Sequence, residues 1–272
     1  MTKIKEFLEV NELIETIKSK GIKIDNEEKV KDILMKNNYY VIMGYKHLFL
    51  DKDCKYKENV SFENIYNLYL FDRKLKLLLL NSLLDIENII KTSITNRFCK
   101  MYGFKEDSYL DKNNYNINHK YLEKTFKIFK SQIEEKKDDN LAVSYYKDNY
   151  NFIPLWVMTK VLLFGLIKEL YSILKDDDKV AIKDEISNFD DVKIKGLFTS
   201  IQLLVDMRNK TAHDEIVYSG HHRKIILSKI KEHNKYDLVN NEGLNDLLGI
   251  LISMKNIQVK EKFNKQLMIL MI

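Results

Sequence analysis

The chain has 272 residues with only 8 Gly and 1 Pro; 45% are hydrophobic, 31% are charged, and the formal net charge is +5. Sheets with tight hairpins need regular Gly, Asn-Gly or Pro turns, so an all-β fold is excluded, and a doubly wound α/β fold has no glycine-rich phosphate loop to support it. Two cysteines, Cys54 and Cys99, exclude a disulfide framework and a Cys-only zinc site, which leaves an all-α chain with a sizeable core.

Residues 1–60 read as an N-terminal helical subdomain, and 61–272 as a single continuous helical domain. Asp25 followed by Glu28 fits a capping box that opens a helix with Val30, Ile33 and Leu34 on its apolar side. Tyr39, Tyr40, Tyr45 and Phe49 form an aromatic cluster whose plain reading is core packing. From Ser61, a candidate N-cap, no Gly or Pro occurs before Gly103, and one very long central helix, or two fused ones, is predicted over 61–102. Leu79, Leu83, Ile86, Ile90, Ile94 and Phe98 form its apolar stripe, with Glu87, Lys91 and Arg97 off that stripe. The most apolar run, Leu75 to Ile90, is interrupted by Lys76, Asn81, Asp85 and Glu87, too charged to span a bilayer. With no secretory h-region at the N-terminus, a cytoplasmic protein with no membrane association is expected.

Residues 104–118 read as an Asn- and Asp-rich surface loop, and 119–136 as a charged amphipathic helix followed by a solvated run, Glu134 to Asp139. Pro154 fits the first position of a helix running to about 175, and Gly165 within it points to close approach of another helix. A further helix covers roughly 192–214, with Ile194, Leu197, Ile201 and Leu204 on one face. After Gly220 the chain turns basic, and Leu244 to Ile272 is an amphipathic to apolar helix suited to closing a core or a dimer.

Among groups able to do chemistry, one cluster remains at the end of helix 192–214: Arg208, Asn209 and His213. Arginine occurs only at 73, 97, 208 and 223 in a lysine-rich chain, which draws attention to its planar, always-charged fork. Asn209 and His213 are four apart and share a helix face, whereas Arg208 and His213 diverge by about 140°. A twofold homodimer would pool such groups from two helices in one cleft. A polar helix end accounts for the same residues, since Arg and His both favour the negative end of the helix dipole. No metal-ligand set and no cofactor motif accompanies the cluster.

The string Arg208-Asn209-Lys210-Thr211-Ala212-His213 resembles the Arg-x4-His motif of HEPN-domain ribonucleases. Asn38-Tyr39-Tyr40 to Gly44-Tyr45, Leu84-Asp85-Ile86-Glu87 through Tyr102-Gly103, and Pro154-Leu155-Trp156 to Phe164-Gly165 resemble the abortive-infection Abi family of the AbiD and AbiF type, in the expected order. The resemblance implies a HEPN-like helical bundle and a toxin-like anti-phage protein that binds RNA and cleaves it without a metal. It makes Arg208 the phosphate-holding group, His213 the general acid or base, and Asn209 a positioning group. The 2′-hydroxyl that such cleavage requires makes DNA an unsuitable substrate. Lys91, Arg97, Arg223, Lys224, Lys229 and Lys231 are the expected contacts to RNA phosphates. The alternative is a non-catalytic RNA-binding dimer held by a structured non-coding RNA. Asp214 and Glu215 follow the histidine directly; acids there either oppose an incoming phosphate or help orient His213.

Overall fold

A computed structural model describes residues 6–186 and 194–218, together with Leu247 and Leu251. Every element of length among the described residues is helical, as expected; the only β features are two isolated bridges, Lys23 with Ser61 and Leu50 with Tyr56. The chain divides into two compact units, Met1–Lys76 and Leu77–Ile272.

The first unit holds α1 (Val10–Ser19), α2 (Glu27–Lys36), α3 (Tyr39–Met43), a 3-10 turn over Gly44–Phe49, and the opening turns of α4 (Phe62–Tyr102). The cap of α2 is Asn26, whose side chain accepts from the Lys29 amide at 3.0 Å, one residue beyond the expected Asp25. Asn supplies the same carbonyl acceptor as Asp, so a one-residue slip costs nothing in chemistry. Ser61 caps α4 as predicted, and the box is reciprocal. Its hydroxyl accepts from the Asn64 amide at 3.2 Å, and Asn64 Oδ1 accepts from the Ser61 amide at 2.9 Å. The aromatic cluster splits: Tyr45 is fully buried while Tyr40 stands 72% exposed. Tyr45 earns burial through its hydroxyl, which donates to Asp72 at 2.7 Å while Lys76 lies 3.2 Å from that same carboxylate.

The second unit is built on the remainder of α4. The six stripe residues from Leu79 to Phe98 are all buried. Around them come α5 (Glu106–Tyr109), α6 (Leu122–Asp139), α7 (Leu141–Tyr150), α8 (Leu155–Val161), α9 (Phe164–Ile173), α10 (Asp176–Ile186) and α11 (Ile194–Ala212). The segment 104–118, expected as a surface loop, carries two core anchors. Tyr109 and Tyr115 are buried, with hydroxyls donating to the carbonyls of Ile153 and Tyr109 at 2.8 and 2.9 Å. Burial pushes both phenols far above their ordinary value. The run Glu134 to Asp139 is the last turns of α6, not a separate charged stretch.

The helix expected from Pro154 to about 175 is two helices. Pro154 is the extended N-cap of α8, not its first helical residue. The break comes at Leu162 and Leu163, whose ψ angles of 143° and 141° are extended without any Gly or Pro. The carbonyl this exposes on Leu162 accepts from the buried Lys91 ammonium at 2.9 Å, so α4 satisfies the end of α8. Gly165 does face another helix: a Cβ there would meet Val205 of α11 at 4.0 Å. That is ordinary van der Waals contact, so the approach does not require glycine.

Candidate functional site

Two helices of the second unit build the site, and an ion-paired triad joins them. Glu87 of α4 is buried, at 6% exposure. Its Oε1 lies 2.8 Å from Lys91 Nζ, one helical turn on. Its Oε2 accepts from Arg208 Nε of α11 at 3.2 Å. Two cations flank one carboxylate, so the cluster keeps a net positive charge, and Lys91 also donates to the Leu162 carbonyl. Burial makes such pairs costly to desolvate and costlier still to break.

Arg208 Nη1 donates to Asn209 Oδ1 at 3.4 Å, a long bond between neighbours. These bonds engage two of the five guanidinium N–H donors, and the side chain remains 30% exposed. Arg208 is thus held through Nε by Glu87 and through Nη1 by Asn209, and among the described residues its remaining N–H groups have no acceptor.

Helix α11 stops at Ala212, two residues short of the expected end, which leaves His213 just beyond the helix. His213 donates its backbone amide to the Asn209 carbonyl at 2.9 Å. Asp214 then takes a left-handed conformation, φ 57°, and the Glu215 amide returns to the Lys210 carbonyl at 3.0 Å. This is a Schellman termination, with an aspartate in the place that glycine usually holds. Asp214 therefore has a backbone duty. The imidazole of His213 is exposed and makes no hydrogen bond or ion pair with the described residues, and Asn209 beside it is exposed too. The structure joins Arg208 to Asn209 and does not join either side chain to His213 within one chain.

Of the expected phosphate contacts, Lys91 is buried in the triad just described. Arg97 pairs through Nε with Asp178 Oδ1 at 2.7 Å, and Asp178 Oδ2 accepts from the Tyr102 hydroxyl at 2.7 Å. Both cations already serve contacts inside the unit. Arg223, Lys224, Lys229 and Lys231 lie outside the described residues.

Sequence reasoning placed Glu87 off the apolar stripe but gave it no role. A Glu–Lys pair four apart, Glu87 and Lys91, in so apolar a stretch was the available signal. Among the described residues no three His, Cys, Asp or Glu side chains gather as a metal site, and no helix is long and apolar enough to cross a membrane.

No curated protein and no solved structure matches the chain. The sequence profile of the Abi-like protein family matches residues 32–219, a span that takes in Glu87, Arg208, Asn209 and His213. That match covers well over half of the chain, and the protein belongs to the Abi-like protein family.

Proposed function

We propose that this protein is an abortive-infection endoribonuclease of the HEPN type, cleaving RNA without a metal at a cleft that a homodimer completes. Family membership supports the defence role, and the observation that carries the chemistry is a partly exposed Arg208 with N–H groups to spare, five residues before an exposed His213 whose imidazole has no partner among the described residues. In this reaction the ribose 2′-oxygen forms a bond to the adjacent phosphorus while the bond to the 5′-oxygen breaks. The products are a 2′,3′-cyclic phosphate and a 5′-hydroxyl. His213 takes the 2′-hydroxyl proton or delivers one to the leaving oxygen, and an imidazole is suited to either role near neutral pH. In a twofold dimer the two His213 side chains divide these roles. Arg208 directs its free N–H groups at the phosphate oxygens, where charge builds in the transition state. Glu87 acts through Arg208 as a positioning residue, and Asn209 steadies the guanidinium from the same helix.

A second reading is a non-catalytic RNA-binding dimer in complex with a structured RNA, of the AbiF type. It is favoured by the exposed acids Asp214 and Glu215 next to His213, which oppose close approach of a scissile phosphate. Incubating the purified chain with total RNA in EDTA decides between them. Cyclic-phosphate products that disappear with His213→Ala support the nuclease; intact RNA that nevertheless co-purifies supports the binding module. A chain that is monomeric by light scattering at working concentration overturns the shared cleft.

A further inference from the structure

The second unit contains a cavity of about 1070 Å³ that the Arg208–His213 site does not use. Its walls come from the segment before α6 and from α6, α9, α10 and α11. The volume is at the upper end of the range for small-molecule sites.

The charge lining it is unbalanced toward cations. Lys168 is neutralised by Glu169 at 2.8 Å, and Lys179 by Asp176 at 3.2 Å. Lys120, just before the N-cap of α6, and Lys124, in its first turn, have no acidic partner among the described residues. They leave an excess of two positive charges at the mouth, reinforced by the N-terminal end of an 18-residue helix. Burial, together with Lys179 and Lys120, holds the His119 imidazole below its ordinary value, so at neutral pH it faces the cavity uncharged and able to donate one hydrogen bond.

Flat apolar surface lies beside these cations. Phe198 lines the cavity with Lys168 over its ring at 5.8 Å, and Tyr121 carries Lys120 at 4.6 Å. Tyr171 is the most telling group. It lines the cavity, is fully buried, and its hydroxyl has no hydrogen-bond partner among the described residues. Burial keeps that phenol protonated, so it offers an unmatched donor. A buried polar atom without a partner is costly, and binding sites are where such costs persist.

We infer that this cavity binds a nucleoside polyphosphate as a free small molecule, distinct from any RNA held at Arg208 and His213. Lys120 and Lys124 take the phosphates, Phe198 stacks on the base, and Tyr171 meets a polar group of the base or sugar. Each element of the ligand answers one feature of the lining: an extended anion for the paired lysines, a flat ring for the aromatic wall, a polar edge for the hydroxyl.

The test is calorimetric titration of the purified full-length chain with ATP, GTP and UTP, and separately with adenosine, tripolyphosphate and a short oligoadenylate. Saturable binding of at least one nucleotide is expected, with adenosine and tripolyphosphate at least about tenfold weaker. Lys120→Glu and Lys124→Glu each weaken nucleotide binding by about tenfold or more. Tyr171→Phe weakens it several-fold while leaving the melting temperature unchanged or raised, because the hydroxyl it removes has no partner among the described residues. Arg208→Ala binds nucleotide like the parent chain. Absence of saturable binding by all three nucleotides overturns the inference. So does tripolyphosphate equal to ATP, indifference to Lys124→Glu, or binding of oligoadenylate alone.

Discussion

Arg208 Nε lies 3.2 Å from Glu87 Oε2, a contact between residues 121 positions apart that ties the end of α11 to the middle of α4. The same carboxylate holds Lys91 at 2.8 Å, and Lys91 holds the carbonyl at which α8 stops. Glu87 thus fixes a partly exposed arginine and, through Lys91, the carbonyl at a helix break.

Glu87→Gln should therefore be destabilising out of proportion to its size. It leaves the buried Lys91 ammonium without its counter-charge, a loss of about 3 kcal/mol once the partial exposure of Arg208 is allowed for. In a unit of this size that lowers the melting temperature by roughly 6–12 °C. Differential scanning calorimetry reads it directly, and a fall below about 2 °C would show that the triad is not a stabilising unit.

Arg208→Lys keeps the charge and removes the fork. A lysine cannot hold Glu87 through one edge while presenting N–H groups of a second edge to a phosphate. If Arg208 and His213 cleave RNA, Arg208→Lys lowers the cleavage rate by at least about a hundredfold, comparable with losing one transition-state donor. His213→Ala should remove cleavage with stability changed by no more than about 0.5 kcal/mol, since the side chain is exposed. Single-turnover cleavage assays with parallel melting curves separate the two effects.

Asp214 stands at φ 57°, where a side chain is strained unless it is small and polar. Asp214→Gly should leave stability unchanged or improve it, whereas Asp214→Val should cost about 1–2 kcal/mol because a β-branched residue resists that conformation. Urea unfolding midpoints of the two variants check the ordering. If Val proves as stable as Gly, the Schellman turn is not what ends α11.

Gly165→Ala should be accepted. Its new methyl group meets Val205 at ordinary contact distance, and alanine gains helix preference over glycine, up to about 1 kcal/mol and less here because Gly165 is the second residue of α9. A rise in melting temperature is the expected result; a fall would mean that α9 and α11 pack more tightly than the 4.0 Å separation indicates.

The Tyr102 hydroxyl is pushed up to about 12, first by burial and then by its bond to Asp178. Its folded-state value lies above that of the unfolded chain, so its contribution is complete below about pH 10 and is lost as pH rises toward 12. A difference titration of tyrosinate absorbance between the parent chain and Tyr102→Phe should show one phenol with a midpoint near 12. Asp178→Asn should move that midpoint down, and a midpoint near 10 in the parent chain would contradict the contact.

Much of this architecture is legible in the residues alone, and the reason is locality. Scarce Gly and Pro, the stripe from Leu79 to Phe98 and the Ser61 cap depend on contacts three or four residues apart, which helix geometry determines wherever the helix goes. The Arg208-Asn209-His213 cluster could be singled out for the same reason, as types and spacings on one helix. What only the tertiary structure decided are relations between distant residues. No local preference breaks the helix at Leu162; a buried ammonium on α4 receives the carbonyl that the break frees. Nothing in the spacing of Glu87 names Arg208 as its partner, because which charges meet depends on how α4 and α11 pack, and a buried charge must find a partner somewhere. The Asn- and Asp-rich stretch around Tyr109 and Tyr115 looked like surface because its composition is polar, yet two phenols with hydrogen-bonded tips anchor it in the core. Composition and periodicity set the helices, their buried faces and the ion pairs one turn apart; the packing of those faces chose the distant partners, Arg208 for Glu87 and Arg97 for Asp178.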